Sequence, residues 1–599
     1  MKKGEFENVY CDSIDALDLA YKSGLHKKIK ILTCSPWMNL NPKKNYINLD
    51  KRITGKKLSE IRKSVLPLTL NIYKRLSCSE FEKESILSAI SGIELVKFVR
   101  KAACLKTEDL KKRSLIIKVK TSNNIVNEFS NTKWEILLDS KNISIKTFNI
   151  THPYQAMFDK SNYSYLDLLN IYSKFDLFIF LLKRLSFLLN YKKSKKVVLV
   201  FREDYLIREI IFYLFKQGVK PVFFSAKKIE KKKYSNSKFC LLKKKLEPLI
   251  SSYIKNWVSK HLYKKVLDFY FFNLKEQLDL KESYSNFFDV YLKKFNQELL
   301  CISSFPAKPL TIALSEKLNK KKIKLVSTQH GVNREINYTC DEGMSTWENG
   351  VCDLLFVNNK ESKIVSEKSP FSKGTCKVIG TAEQLSSKKR IDLFLGKKKI
   401  FYVSTRISAA NRMMLGGHLA DYQKALQELK LVTNVFKKVS KKIVFKTYPA
   451  IPLYVEKDPV FEEVNKSKNL DLLATSKDIQ YYFKRMSLII TSRATSTLSW
   501  CILSNIPVVF INYIDQSMLK KEIITKLKKS LFFFNYSDRN FFSMLKRFLE
   551  KSSDEIYKEW KKKEVQRKIF IEQYISSSQK KKSGEVASNY IIKNELFKK

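Results

Sequence analysis

The sequence predicts an α/β protein built on parallel, doubly wound sheets, and three observations carry that prediction. Short apolar runs of strand length alternate with stretches of helical period along most of the 599 residues. Several runs end in clusters of hydroxyl, amide and charged residues, the place where ligands bind in open α/β sheets. No repeat with a period of about 20 to 50 residues is visible, so a solenoid is not indicated.

Residues 1–150 read as a small α/β unit, with strand-like "KIKILTC" and "NYINLD" and a helix over 79–104. The most apolar segment, 165–196, is interrupted by Lys174, Asp176, Lys183 and Arg184 before it could span a bilayer. It reads either as a core helix or as an interfacial helix whose basic end, 192–196, faces anionic headgroups. A βαβ unit follows: a strand over 197–201, a helix over 205–217 closed by Gly218, and a strand from 222. The Lys-rich stretch 227–246 reads as an exposed connection and 249–297 as an aromatic-rich helical region. A helix near 308–318 leads into a strand that ends at His330, and "CDLLFVNN" and "CKVIGTAEQ" supply two more strands. After a hydrophilic linker at 386–399, a second series runs "IFYVSTR", a helix, "KIVFKTYP", "SLIITSRATSTLSWCILS" and "IPVVFIN". The tail from 538 reads as helical and basic.

The formal charge is +54, from 113 basic and 59 acidic residues, with 44% hydrophobic and 13% aromatic content. Such a charge ordinarily points to nucleic acid or an anionic membrane. Only 17 of the basic residues are Arg and 96 are Lys, spread along the chain rather than clustered with aromatics. That pattern suits compositional drift on solvated faces better than nucleic-acid reading, and no nucleic-acid partner is expected. The ten cysteines form neither CxxC pairs nor Cys/His clusters at zinc spacing, so neither a disulfide framework nor a metal site is indicated. A reducing cytoplasm is the simplest setting, and no signal peptide is visible at the N-terminus.

Four strand-end clusters carry the chemistry. In "KIKLVSTQHGVNRE", His330 stands at a strand end and Gly331 lets backbone approach closely. With an ordinary pKa of about 6.5, a histidine there suits proton transfer or phosphate contact, although a histidine taken alone is more often a satisfied structural residue. Ser404, Thr405 and Arg406 offer two hydroxyls and a planar fork that matches a diphosphate. Lys446 offers a point charge and Tyr448 a ring or hydroxyl beside Pro449, which fixes the turn. Read alone, each of these two clusters also fits a plain capping turn or strand end. In "ITSRATSTLSW", Arg493 and the hydroxyls of Thr495, Ser496 and Thr497 open a helix whose N-terminal N–H groups and dipole favour an anion. Walker A, GxGxxG, HExxH and GxSxG patterns are all missing from the chain.

Taken in order, these pieces resemble a two-domain transferase of the GT-B type, in which two Rossmann-like domains face a cleft. The likeness is closest to the bacterial surface-carbohydrate enzymes that include CDP-glycerol glycerophosphotransferases and capsule polysaccharide transferases. In that group a strand ends in a His-Gly pair at the cleft, matched by His330 and Gly331. A Lys-x-His-Pro strand end is matched in part by Lys446, Thr447, Tyr448 and Pro449. A Ser/Thr turn opening a helix before a Pro-Val-Val strand is matched by Thr495, Ser496, Thr497 and Pro507, Val508, Val509. The resemblance spans roughly 197–512. Two positions depart from it: Tyr448 replaces the second histidine, and Trp500 stands where the helix carries an acidic residue that holds the donor's ribose or sugar.

The resemblance implies an N-terminal α/β extension (1–150), an acceptor-side domain (151–385), a nucleotide-donor domain (386–537) and a helical tail (538–599), with 386–399 as hinge. It implies transfer of a sugar or glycerophosphate from a nucleotide-activated donor to a glycan or lipid-linked acceptor, with no cofactor beyond the donor and no obligatory metal. Arg406, Lys446, Arg493 and 495–497 would hold the diphosphate, His330 would act as base, and Glu203 and Asp204 are reserve acid/base residues. Cytoplasmic placement, with peripheral contact to an anionic membrane left open, completes the expectation. Two other readings stay on the table: a non-catalytic basic protein binding nucleic acid or membrane, and an epimerase acting on nucleotide sugars, which would need more acidic residues in the cleft.

Overall fold

The computed structural model describes residues 6–27, 29–33, 35, 37, 45–121, 134–138, 143–151, 154, 174–184, 194–225, 229–304, 307–332, 334–337, 348–385, 396–405, 407, 421–449, 456–475, 477–492, 494–513, 519–578 and 581–598. Three sheets organise them. The first comprises β1 (Asn8–Cys11), β2 (Lys30–Thr33), β3 (Ile47–Asn48), β4 (Ser114–Thr121) and β5 (Ile143–Ile150), in the order β3-β2-β1-β4-β5. The second comprises β6 (Lys196–Arg202), β7 (Lys220–Phe223), β8 (Glu298–Ser303), β9 (Leu325–Thr328), β10 (Leu354–Val357) and β11 (Thr375–Val378), in the order β11-β10-β9-β8-β6-β7. The third comprises β12 (Lys399–Val403), β13 (Ile443–Lys446), β14 (Leu470–Leu473), β15 (Met486–Thr491), β16 (Val508–Asn512) and β17 (Phe532–Asn535), in the order β14-β13-β12-β15-β16-β17.

Every pairing between these strands is parallel. Parallel strands are covered on both faces and so carry unbroken apolar runs. Val197 to Val200 in β6 and all five residues of β16 are buried accordingly. Each sheet reverses its order beside its first strand, at β1/β4, β6/β8 and β12/β15. The carboxyl ends at these switch points form crevices. The doubly wound α/β class is therefore what the chain adopts, three times over.

The first sheet joins the other two. Val9, Ile14, Leu115 and Val119 share one core with Phe401, Phe445 and Ile489 of the third sheet. Tyr10, Leu32 and Ile116 face the helices Val65–Ser77 and Ser85–Ala102 and, through them, the Lys260–Tyr291 helix of the second domain.

Three details differ from the sequence reading. The Lys-rich stretch is an exposed connection only in part, because a helix starts at Asn236 and runs to Lys255 through Pro248. Leu242, Leu246 and Ile250 bury one stripe of it while the lysines keep the other side. The tail does not stand apart: Phe541, Leu545, Trp560 and Phe570 complete the third sheet's core, and Ala587 and Ile591 then pack into the second sheet's core. Strands β1, β4, β5, β8, β14 and β17 have no counterpart in the sequence reading.

Of segment 165–196, the helix Lys174–Arg184 is described. Ile179 and Leu182 join the second sheet's core, while Phe180 and Leu181 are 51% and 53% exposed. Among the described residues no helix is long and apolar enough to cross a membrane.

Candidate functional site

The second and third sheets meet at a cavity of about 380 Å³, lined by the carboxyl ends of both. On the second-sheet side, β6 runs out into Glu203 and Asp204. Asp204 caps the helix Tyr205–Lys216 by accepting from the Ile207 N–H at 2.9 Å, and its other oxygen accepts from the Thr328 hydroxyl at 2.6 Å. Burial raises its pKa. Glu203 pairs with Lys183 and stands 3.5 Å from Arg208. Both reserve acid/base residues thus line the cavity, but each is held by structural partners.

β9 delivers His330, and the turn beyond it is held from behind. Gln329 donates to the Gly331 carbonyl at 3.0 Å and to Glu335 at 2.6 Å, and accepts from the Asn358 N–H at 2.9 Å. The His330 N–H donates to Glu348 at 2.9 Å, and Glu348 pairs with Arg334 at 2.8 Å, both charges fully enclosed. Burial pushes Glu348 up to about 7 despite that arginine. With its backbone fixed, His330 presents its ring to the cavity. Partial desolvation, helped by Arg202 and opposed by Asp478, pulls the ring's pKa down to about 4.

On the third-sheet side, Lys446 ends β13. It is 1% exposed, donates to the Thr447 carbonyl at 3.1 Å and stands 5.9 Å from the Tyr482 ring. Burial pulls its ammonium down to about 8, opposed by the Asp478 carboxylate. Tyr448 and Pro449 continue the cavity wall. The Ser404 hydroxyl and the Thr405 N–H are engaged by Glu428, at 2.8 and 2.9 Å. Ser404 reaches the cavity and Thr405 does not. The helix Ser496–Leu503 begins at the rim without a side-chain cap from Thr495. Ser496, Thr497, Ser499 and Trp500 line the cavity, and Thr495 does not. Arg406 and Arg493 lie outside the described residues.

Gly331 has a use that sequence alone did not show. A Cβ there would come within 2.7 Å of the Ser496 Cβ, so the His330 turn and the helix N-terminus touch across the domain boundary. Asp478, missed in the sequence, is the other bridge. Its carboxylate accepts from the Tyr205 hydroxyl at 2.8 Å, and Tyr205 meets Trp500 edge-on at 6.4 Å between ring centres. Asp478 sits in the connection after β14, where no periodic signal marks a position. Among the described residues no group of three or more His, Cys, Asp or Glu is placed to hold a metal ion.

Chemically, the cavity offers a histidine able to accept a proton from one domain. The other offers a buried cation, aromatic walls and a helix N-terminus. Two doubly wound domains facing such a cleft constitute the GT-B architecture.

No protein-family model and no curated protein matches the chain. Solved structures similar to it include a UDP-glucosyltransferase from Polygonum tinctorium (9% identity, 67% of this chain and 98% of that one, TM-score 0.37). MurG of Acinetobacter baumannii is similar at 12% identity, over 66% and 99% of the two chains, with a TM-score of 0.34. A glycosyltransferase from Rickettsia africae is similar at 13% identity, over 67% and 99%, with a TM-score of 0.37.

Proposed function

We propose that the chain is a glycosyltransferase-type enzyme of bacterial surface polysaccharide synthesis, moving a sugar, or glycerophosphate, from a nucleotide-activated donor to a glycan or lipid-linked acceptor. The observation that carries this reading is the pairing, in one cleft, of His330 from the second sheet with Lys446 and the Ser496 helix N-terminus from the third. An anionic leaving group next to a buried ammonium and unpaired helix N–H groups is stabilised where its charge develops. The choice of surface polysaccharide rests on the motif set around His330, Lys446 and 495–497.

The acceptor hydroxyl oxygen attacks the donor's transferred carbon, or phosphorus for glycerophosphate, and forms the new bond. The bond to the leaving phosphate oxygen breaks, and the nucleotide departs with the electron pair. His330 takes the hydroxyl proton. With its pKa pulled down to about 4 by burial, the ring is neutral and ready to accept at pH 7. The negative donor raises that value as it binds, strengthening the base when it is needed. Trp500 and Tyr448 supply flat surfaces for a base or sugar face.

A thermal-shift screen against UDP, CMP, CDP, GDP and their sugar or glycerol conjugates tests the reading. It expects stabilisation by one nucleotide class, lost in Lys446→Ala. No shift with any of them in folded protein would refute it.

A further inference from the structure

Glu456 lies seven residues beyond Pro449, on the connection that leaves β13 after Lys446, Tyr448 and Pro449. Residues 450–455 between them are outside the described residues. Its carboxylate is 0% exposed and is received not by its own domain but by the first sheet. It accepts from the Ile14 N–H at 2.8 Å, and the Ser35 hydroxyl stands 2.9 and 2.8 Å from its two oxygens. Ile14 opens the nine-residue helix Ile14–Lys22 that follows β1, the strand beside which the first sheet reverses order. In a doubly wound sheet that is where an anionic ligand meets a helix N-terminus. Here an internal carboxyl group fills the place as a hydrogen-bond acceptor, its pKa held well above the ordinary value by burial. Two residues on, the Asp458 N–H donates to the Tyr154 hydroxyl at 2.5 Å, and the Tyr154 ring packs edge-on against Phe461 at 5.2 Å.

We propose that Glu456 is a positioning residue for the nucleotide site and that the N-terminal domain is its clamp. By seating Glu456 at the ligand end of its own sheet, the domain fixes the far end of the connection that carries Tyr448 and Pro449 on the cavity wall. The coupling runs through packed rings: Phe461, held by Tyr154, meets Phe445 at 6.0 Å between ring centres, and Phe445 precedes Lys446 on β13. The first sheet, with its crevice filled, holds the site rather than binding a nucleotide there. The proposal rests on the cavity being the donor site.

The test uses the full chain with Glu456→Ala, Glu456→Gln and Ser35→Ala. UDP and CDP affinity is measured by calorimetry, and hydrogen exchange is followed in peptides covering 8–20 and 443–449. Glu456→Ala should weaken the nucleotide that binds by about 5- to 100-fold, the usual size of coupling between sites, and speed exchange in both peptides. Glu456→Gln, which keeps the shape and an acceptor oxygen, should recover most of the affinity. If Glu456→Ala does not fold, Ser35→Ala, which removes the hydroxyl facing both oxygens, carries the same expectation. Unchanged affinity with faster exchange only over 8–20 would overturn the proposal and leave Glu456 as domain packing. If the unaltered chain binds neither UDP nor CDP, the donor reading fails on its own. Exchange over 443–449 then decides: faster exchange keeps Glu456 as the anchor of that cavity wall, and none overturns it.

Discussion

Replacing Lys446 by methionine should make the protein more stable at pH 7 and less able to bind a nucleotide. Lys446 is fully buried, and burial pulls its ammonium from the ordinary 10.5 to about 8. A displacement of that size corresponds to about 3 kcal/mol against the charged form. The folded chain holds this proton less tightly than the unfolded chain, so the penalty is fully present below about pH 8. It fades as pH rises from about 8 to 10.5. Methionine keeps the length of the side chain and removes the charge, while leaving the Thr447 carbonyl without its donor at 3.1 Å, a cost of about 1 kcal/mol. The net gain at pH 7 is about 1 to 2 kcal/mol, or about 2 to 8 °C in the melting of the third-sheet domain. A hydrogen bond from a charged donor is worth about 1.5 to 3 kcal/mol, so nucleotide affinity should fall about 10- to 150-fold. Melting curves of both proteins at pH 7 and pH 10, with and without UDP and CDP, check both halves. A variant that melts lower than the original at pH 7 refutes the buried-cation argument. One that keeps its nucleotide-induced shift shows that Lys446 does not meet the phosphates.

His330→Ala should slow turnover by about 10²-fold or more if the ring is the base. Because burial pulls the ring's pKa down to about 4, its basic form is lost only as pH falls through that value. The kcat/KM profile should stay level down to about pH 5, and an acid limb near 6.5 would contradict the desolvated setting. Gly331→Ala drives a methyl into Ser496 and should lower both melting temperature and nucleotide affinity. Adding Ser496→Gly should restore part of each, and failure of that rescue would show that the contact does not set the domain approach. Arg334→Met leaves Glu348 buried without its counter-charge and should cost about 3 kcal/mol or more by denaturant titration. Glu348 is raised to about 7, so it holds its proton more tightly when folded. The loss should therefore deepen as pH rises through that value, and a pH-independent loss would argue against it.

The strand ends that carry His330, Lys446, Ser496 and Thr497 were legible because a strand buried on both faces has an unbroken apolar run with polar residues at its end. The same rule hid β14. It is an edge strand with only Leu470 fully buried, and Asp471 pairs outward with Lys399 at 2.7 Å. Strand β1 opens on the buried Asn8 and so carries an apolar run of only three residues. Asp478 left no trace because its meaning comes from Tyr205, 273 positions away. Glu348 and Arg334 support His330 from a turn whose closure no linear pattern records, and Glu456 finds Ile14 across 442 positions. Tyr448, read as a departure from the resembled pattern, does stand on the cavity wall.

The chain's charge of +54 is not expressed at the described cavity. Among the described residues, Glu203, Asp204 and Asp478 line it against Arg208 and Lys446. Arg208 is already engaged by Asp176 at 2.6 Å and by Glu203. One buried lysine and one helix N-terminus therefore face an incoming anion, with Asp478 opposing them. Among the described residues the lining is nearly balanced in sign, so it adds little to the field that the whole chain's charge sets up at a distance. An anion bound there would be held at contact, where low local dielectric strengthens one well-placed ammonium. The lysine surplus on the outer helical faces belongs to a separate question, the surfaces this protein meets.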